Sequence, residues 1–220
     1  MPKAVLVTDF DGTMTANDFY KLVAERLLPP DALMPWQDYR EGRITHFTAL
    51  QRIFGRIRAT PEELDALVGD MRPDPGLARS VERLRRAGWE VVVASAGCDW
   101  YIRKILSKAG VDASVYSNPG VHVQPEGALR MEPPPDSPFS CLETGVDKAA
   151  IVRFHRERGA TVAFAGDGYA DLPAALETQP RLRFARADLA VSLAARGDSY
   201  RAFDVWSDIA EALLAEGGAA

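Results

Sequence analysis

Apolar positions along the chain fall into two alternating patterns. Short, mainly apolar runs stand at Val5-Leu6-Val7, Val91-Val92-Val93-Ala94, Ala113 to Tyr116, Thr161 to Ala165, Leu182 to Ala185 and Ala202 to Val205. Runs of this length, rich in β-branched residues, predict strands buried on both faces. Between them apolar residues recur near every 3.6 positions, as in Phe19, Leu22, Val23 and Leu27, or Leu50, Ile53, Phe54 and Ile57. That spacing predicts amphipathic helices. Strand and helix in alternation imply an α/β fold, a Rossmann-like doubly wound parallel sheet.

One stretch departs from the alternation. Residues 16–74 carry helix signals and almost no strand signal. Asn17 and Asp18 are candidate N-caps, Pro29-Pro30 is a stop, and Thr45 is a further cap. Thr60-Pro61-Glu62-Glu63 combines an N-cap, Pro at the first helical position and Glu at the third. One crossover helix would join two parallel strands. Several in succession predict a small helical cap at 16–74 on a core of 1–15 and 75–220. Weak alternation around Pro125-Glu126-Gly127 predicts a β-hairpin excursion near 118–133. The proline-rich stretch after it has no readable pattern, and Gly217 to Ala220 reads as a frayed tail.

Composition narrows the function classes. The chain has 220 residues, 47% hydrophobic and 26% charged, and a net charge of -5. That is ordinary for a globular protein and gives no electrostatic reason to expect nucleic acid or an anionic membrane as partner. No apolar run approaches the ~20 residues that span a bilayer. The first strand begins at once, with no leader pattern. Cys98 and Cys141 lack metal-ligand spacing and read as free thiols. A cytoplasmic enzyme, monomer or homodimer, is the expectation.

The candidate chemistry sits where the strands end. Asp9 and Asp11 follow the first strand, two apart on an extended backbone, so both can face one pocket. Ser95, Ala96 and Gly97 follow the second, and Asp167 and Asp171 the fourth. Lys148 opens a helix whose start faces the same rim if the crossovers are right-handed. Each has a plain structural alternative: a turn for Asp-x-Asp-Gly, an N-cap for Ser95, a solvated surface site for Lys148. Ligands in open α/β sheets collect beyond the carboxyl ends of the strands, so it is the joint placement that points to a site. Two like charges about 4 Å apart repel by about 4 kcal/mol at an effective dielectric of about 20. Acids gathered at one rim suggest a metal or a proton-transfer site, since such repulsions raise carboxylate pKa values unless cations are present.

Taken in order, Asp9-Phe-Asp-Gly-Thr13, Ser95, Lys148 and Gly166-Asp-Gly-Tyr-Ala-Asp171 resemble the four motifs of the haloacid dehalogenase superfamily of phosphatases. The cap position resembles its phosphoserine phosphatase-like branch. The resemblance implies Asp9 as nucleophile forming an aspartyl-phosphate, and Asp11 as general acid, then base. It implies Mg²⁺ at Asp9, the Asp11 backbone carbonyl and Asp167, with Asp171 nearby or acting through water. Ser95 and the N–H groups of Ala96 and Gly97, placed as at a helix N-terminus, would hold phosphoryl oxygens. Lys148 would neutralise nucleophile and phosphoryl group.

Within the superfamily, Thr15-Ala-Asn17-Asp18, Ser95-Ala-Gly97-Cys-Asp99-Trp-Tyr101, Tyr116-Ser-Asn118 and Phe184-Ala-Arg186 are similar to the phosphatases of methionine salvage, which act on 2-hydroxy-3-keto-5-methylthiopentenyl-1-phosphate. Phosphoserine phosphatases usually have Glu at the place of Asp18 and Gly at that of Ala96. The implied partner is a small phosphorylated metabolite, with Asp18, Phe19 and Tyr20 as candidate substrate residues. His46, His122 and His155 read as surface or core side chains. Phosphoserine phosphatase or another small-metabolite phosphatase, a phosphotransferase or mutase on the same scaffold, and a non-catalytic binding domain are the competing readings.

Overall fold

The structure, a computed structural model, describes residues 3–217; the tail expected at 218–220 lies outside the described residues. The central strand β1 (Ala4–Thr8) is buried at every position, as a strand covered on both faces must be. It leads through the loop at residues 9–18 into α1 (Phe19–Arg26), α2 (Met34–Arg40), α3 (His46–Phe54) and α4 (Pro61–Asp70). The helix signals act as the sequence implies. Thr45 Oγ1 accepts from the Thr48 N–H at 3.1 Å, and Thr60 and Glu63 form a reciprocal capping box.

Next come α5 (Leu77–Arg86), β2 (Trp89–Cys98), α6 (Asp99–Lys108) and β3 (Ser114–Asn118). The expected hairpin is β4 (Gly120–Val123) and β5 (Ala128–Met131), paired antiparallel. A second, two-residue pair that the sequence pattern does not reveal, β6 (Ser140–Cys141) and β7 (Gly145–Val146), follows it. The chain closes with α7 (Lys148–Glu157), β8 (Thr161–Gly166), α8 (Leu172–Leu176), β9 (Arg183–Ala185), α9 (Ala187–Arg196), β10 (Arg201–Ala202) and α10 (Trp206–Ala215). The sixth strand is therefore shorter than its apolar run, Ala202 to Val205.

The main sheet has the order β10-β9-β8-β1-β2-β3, and its strands pair in parallel. From β1 the chain steps to β2 and β3 on one side, and later to β8, β9 and β10 on the other. The reversal falls at the β1/β8 pair, where Thr8 stands opposite Ala165. Such a switch point opens a crevice beyond the strand ends. Two apolar clusters cover the sheet. One runs from Leu6 and Phe10 into Phe19, Ile53 and Leu64 of the four-helix segment, and the other packs Val5 and Val7 on Ile151 and Phe164.

The helices α1–α4 are pinned to the excursion β4–β5. The Ala59 N–H donates to Gly127 O at 3.1 Å, Gln51 Nε2 to Met131 O at 2.8 Å, and His122 Nε2 lies 3.0 Å from Ala59 O. An ion pair between Lys104 and Asp65 adds a contact from α6.

Candidate active site

Residues leaving β1 turn sharply, and that turn builds the site. The Asp9 N–H still donates to Ala165 O at 2.8 Å, continuing the β1/β8 ladder by one residue. Gly12 then takes φ +69°, and a Cβ there would lie 2.3 Å from Asp167 Oδ2. Only glycine serves, because the backbone is left-handed and another residue's carboxylate occupies the space. Arg186 fixes the turn from outside. Its guanidinium donates to Gly12 O at 2.6 Å, Thr15 O at 3.0 Å and Asp204 O at 2.6 Å.

Lys148, Asp9 and Asp171 form a buried triad. Lys148 Nζ lies 2.6 Å from Asp9 Oδ1 and 2.6 Å from Asp171 Oδ1, and all three side chains are less than 10% exposed. Asp147 caps α7 by accepting from the Ala150 N–H at 2.8 Å, which sets Lys148 as the first helical residue. Asp171 uses its other oxygen to accept from the Asp167 and Gly168 N–H groups, each at 3.0 Å. Both oxygens of Asp171 are thus engaged, so it orients Lys148 and the loop at 167–168. Burial pulls the Lys148 ammonium toward neutrality, but Asp171 and Asp9 more than offset this and hold its pKa above the usual lysine value.

One oxygen from each of Asp9, Asp167 and Asp171 falls within 4.8 Å of the others. Burial pushes the Asp9 carboxyl up to about 6 despite Lys148. Burial, with Asp9 and Asp171 adding repulsion, pushes Asp167 up to about 8. One ammonium does not neutralise this cluster. An all-oxygen donor set with excess negative charge fits a hard divalent cation. The Asp11 carboxylate stands apart from this cluster; the group that the resemblance implies as a metal ligand there is its backbone carbonyl. Asp11 Oδ2 accepts from the Tyr101 hydroxyl at 2.6 Å and Asp11 Oδ1 from the Phe19 N–H at 3.0 Å. Desolvation, with Asp18 nearby, pushes Asp11 up to about 8. Two carboxyls from one strand end are therefore held apart, one against a cation and one against neutral donors.

Ser95, Ala96 and Gly97 sit differently from the helix N-terminus expected. Strand β2 continues to Cys98, with irregular pairing to β3 between Ala94 and Cys98, and α6 starts only at Asp99. The Gly97 N–H turns back onto Ser95 Oγ at 3.0 Å. Asn118 supports the stretch, donating to Ala96 O at 2.8 Å and Thr144 O at 3.0 Å. Gly97 leaves room for Tyr101, whose hydroxyl would lie 1.9 Å from a Cβ there.

These residues line a cavity of about 430 Å³. Its floor holds Asp9, Asp11, Ser95, Lys148 and Asp167, and its far wall holds Asp18, Tyr20, Trp36, Tyr39, His46 and Phe54 from α1–α3 and the loop before them. Of the candidate substrate residues, Asp18 and Tyr20 face this space. Phe19 does not: it is fully buried and stacks on Tyr101 with centroids 4.2 Å apart. Position i+1 beside Asp18 turns inward on α1, whereas Tyr20 turns to the cavity and stacks on Trp36 at 4.5 Å. His46, read from sequence as an ordinary surface or core residue, also lines the cavity.

A family model for haloacid dehalogenase-like hydrolases matches residues 6–176. The chain belongs to that family. Among curated relatives of this haloacid dehalogenase-like hydrolase, a 2-hydroxy-3-keto-5-methylthiopentenyl-1-phosphate phosphatase of Exiguobacterium sibiricum is 25% identical over 94% of this chain and 95% of its own. A phosphoserine phosphatase of Methanocaldococcus jannaschii is 24% identical over 50% of this chain and 53% of its own. Among solved structures, a phospho-aspartyl intermediate analogue of phosphoserine phosphatase superposes with a TM-score of 0.67 over 96% of this chain and 99% of that one, at 18% identity. That likeness concerns the fold. Among the described residues no helix is long and apolar enough to cross a membrane.

Arg186, Tyr101 and Asn118 stand in the sequence only within stretches that resemble the methionine-salvage phosphatases, and nothing there gives the contacts they make here. The hydroxyl of Tyr101 depends on Gly97 opposite.

Proposed function

We propose that this hydrolase is a phosphatase of small-molecule phosphate monoesters, with Asp9 as nucleophile and Mg²⁺ as cofactor. The observation that carries the reading is the Asp9–Lys148–Asp171 triad facing Asp11 across one cavity. Asp9 attacks phosphorus, the bond to the leaving oxygen breaks, and an aspartyl-phosphate forms. Asp11, raised to about 8 by desolvation before any cation binds, supplies the proton to the departing alkoxide. It then accepts one from the water that hydrolyses the intermediate. Lys148 offsets the charge gathering between nucleophile and phosphoryl oxygens. Ser95 and the N–H groups at 96–97 offer donors on the opposite side.

Asp9, Asp167 and the Asp11 backbone carbonyl would hold Mg²⁺, with Asp171 behind them. When bound, the ion supplies Lewis-acid stabilisation of phosphoryl charge. Residues 16–74 act as a cap that shields this chemistry from water and contacts the leaving group. The apolar wall of Trp36 and Phe54 suits an uncharged tail such as the methylthio group named in the Exiguobacterium sibiricum relative. Asp18 faces the same space and is the acid that would meet the ammonium of phosphoserine, but it is shorter than the Glu usual in phosphoserine phosphatases. Phosphate release from both esters, side by side, separates the two.

The test of the chemistry is Asp9→Asn, a near-isosteric change, assayed with an aryl phosphate and Mg²⁺. Phosphate release should fall by at least about a thousandfold with the melting temperature kept or raised. Turnover at the level of the unaltered protein would refute the assignment.

A further inference from the structure

We propose that His46 is a specificity-determining residue of this site: its Nε2–H donates a hydrogen bond to an acceptor oxygen on the leaving-group part of the bound phosphate ester. This rests on the phosphatase reading and adds to it the kind of leaving group that the site takes.

His46 opens α3 and lines the cavity over Lys148 and Asp171. Its backbone is tied down from the far side. The His46 N–H lies 3.3 Å from Glu143 Oε1, and the Phe47 N–H donates to Glu143 O at 2.8 Å. Trp36 and Tyr39 fix the ring edge-on, with centroids 5.4 Å and 5.2 Å away. A side chain clamped this way is pre-organised, so little entropy is lost when it binds.

Its polar atoms are nonetheless without protein partners. Nδ1 is buried with no hydrogen bond, and Nε2 makes none to a described residue. Placing the proton on Nδ1 would bury an N–H with no acceptor, the costlier kind of orphan. The neutral tautomer with its proton on Nε2 avoids this and presents a donor to the cavity. Burial and the Lys148 ammonium push the imidazole down to about 4, so it stays neutral through the physiological range. A neutral donor set in an aromatic wall matches a carbonyl or hydroxyl oxygen on an otherwise apolar chain. The phosphoryl oxygens would already have the Lys148 ammonium and the Ser95 hydroxyl, with the Gly97 N–H turned onto Ser95 Oγ.

The test is His46→Phe, which keeps the ring packing on Trp36 and Tyr39 and removes the donor. Two probes are used with Mg²⁺: phenyl phosphate, with no oxygen beyond the ester, and dihydroxyacetone phosphate, with a carbonyl and a hydroxyl. The variant should lose about tenfold in kcat/KM on dihydroxyacetone phosphate, mostly through KM, the size of one lost hydrogen bond. Phenyl phosphate should change less than about twofold. Equal losses on both probes would mean a contact to the phosphoryl group or a packing role, and no loss on either would mean no contact; both overturn the proposal. The ring ¹⁵N spectrum of the unaltered protein, with His46 assigned by its disappearance in the variant, should show a bare Nδ1 and a protonated Nε2. The opposite tautomer also overturns it. A folded unaltered protein that hydrolyses neither probe instead sinks the phosphatase reading, and the His46 proposal with it.

Discussion

Replacing Lys148 by methionine tests whether the buried triad is held by charge. The side chain keeps its length and loses its ammonium. Two hydrogen bonds at 2.6 Å disappear, leaving Asp9 and Asp171 facing each other in a dry pocket. Hydrogen bonds to charged groups contribute about 1.5–3 kcal/mol each. Breaking a buried ion pair by removing one partner costs about 3–5 kcal/mol. The two routes agree on a loss of roughly 3–5 kcal/mol for metal-free protein near pH 8, seen as a fall in melting temperature on the order of 10 °C.

The loss should shrink on acidification. Asp9 is already raised to about 6 in the presence of Lys148, and without that cation it rises further. A carboxyl whose folded pKa exceeds its unfolded one binds its proton in the folded state first. Stability then increases as pH falls from the folded pKa toward the unfolded value, by about 1.4 kcal/mol per pH unit per group. Urea unfolding of both proteins without metal, at about pH 8 and about pH 6, reads this directly. Adding Asp171→Asn to the methionine variant should recover part of the stability, because a neutral amide no longer repels Asp9 while its oxygen still accepts from the Asp167 and Gly168 N–H groups. A loss under about 1 kcal/mol at pH 8, or one equal at both pH values, would refute the reasoning.

Two further outcomes follow from the same electrostatics. Tyr101→Phe keeps the stack on Phe19 but removes the 2.6 Å hydrogen bond to Asp11; kcat/KM on an aryl phosphate should fall ten- to a hundredfold, with melting within a few degrees, and an unchanged rate would detach Tyr101 from the proton transfer. In metal-free protein Asp11 and Asp167 are both raised to about 8 by burial, so melting temperature should rise as pH falls from about 8.5 to about 6. Mg²⁺, competing with those protons, should stabilise more at the higher pH, and equal stabilisation at both would argue against a carboxylate site for the ion.

What the sequence makes legible here is what local physics decides. Val5 to Val7 predict a strand covered on both faces because three consecutive aliphatic side chains, two of them β-branched, leave no polar face for water. Thr60 to Glu63 predict a helix start because the capping box needs only four neighbouring residues. The stretch from Ser95 to Cys98 defeats the same reasoning. Its small residues look like a helix start, yet the stretch stays extended between two points of pairing with β3, Ala94 with Tyr116 and Cys98 with Asn118. Two-residue strands such as β6 and β7 carry no period to detect. Phe19 and Tyr20 illustrate the limit within one helix. Adjacent aromatics are equal in sequence, and only the packing of α1 on Phe54 and Tyr101 sends one into the core and leaves the other at the cavity.

The wall that would select a leaving group is set at a distance from the acids proposed to do the chemistry. Asp9, Asp11 and Asp167 are placed by the ends of β1 and β8 and by the Gly12 turn. Trp36, Tyr39 and His46 are placed by α2 and α3, and those helices take their position from the excursion β4–β5 and from Glu143 in the turn between β6 and β7. Neither hairpin contributes a residue to the cavity lining given above. Substitutions there would move the aromatic wall against an unmoved catalytic floor, so they should alter KM across a set of esters while leaving the attack by Asp9 intact. Chemistry and selectivity would thus rest largely on separate supports, joined where the Phe19 N–H donates to Asp11, so that one set of acids could serve different leaving groups on this fold.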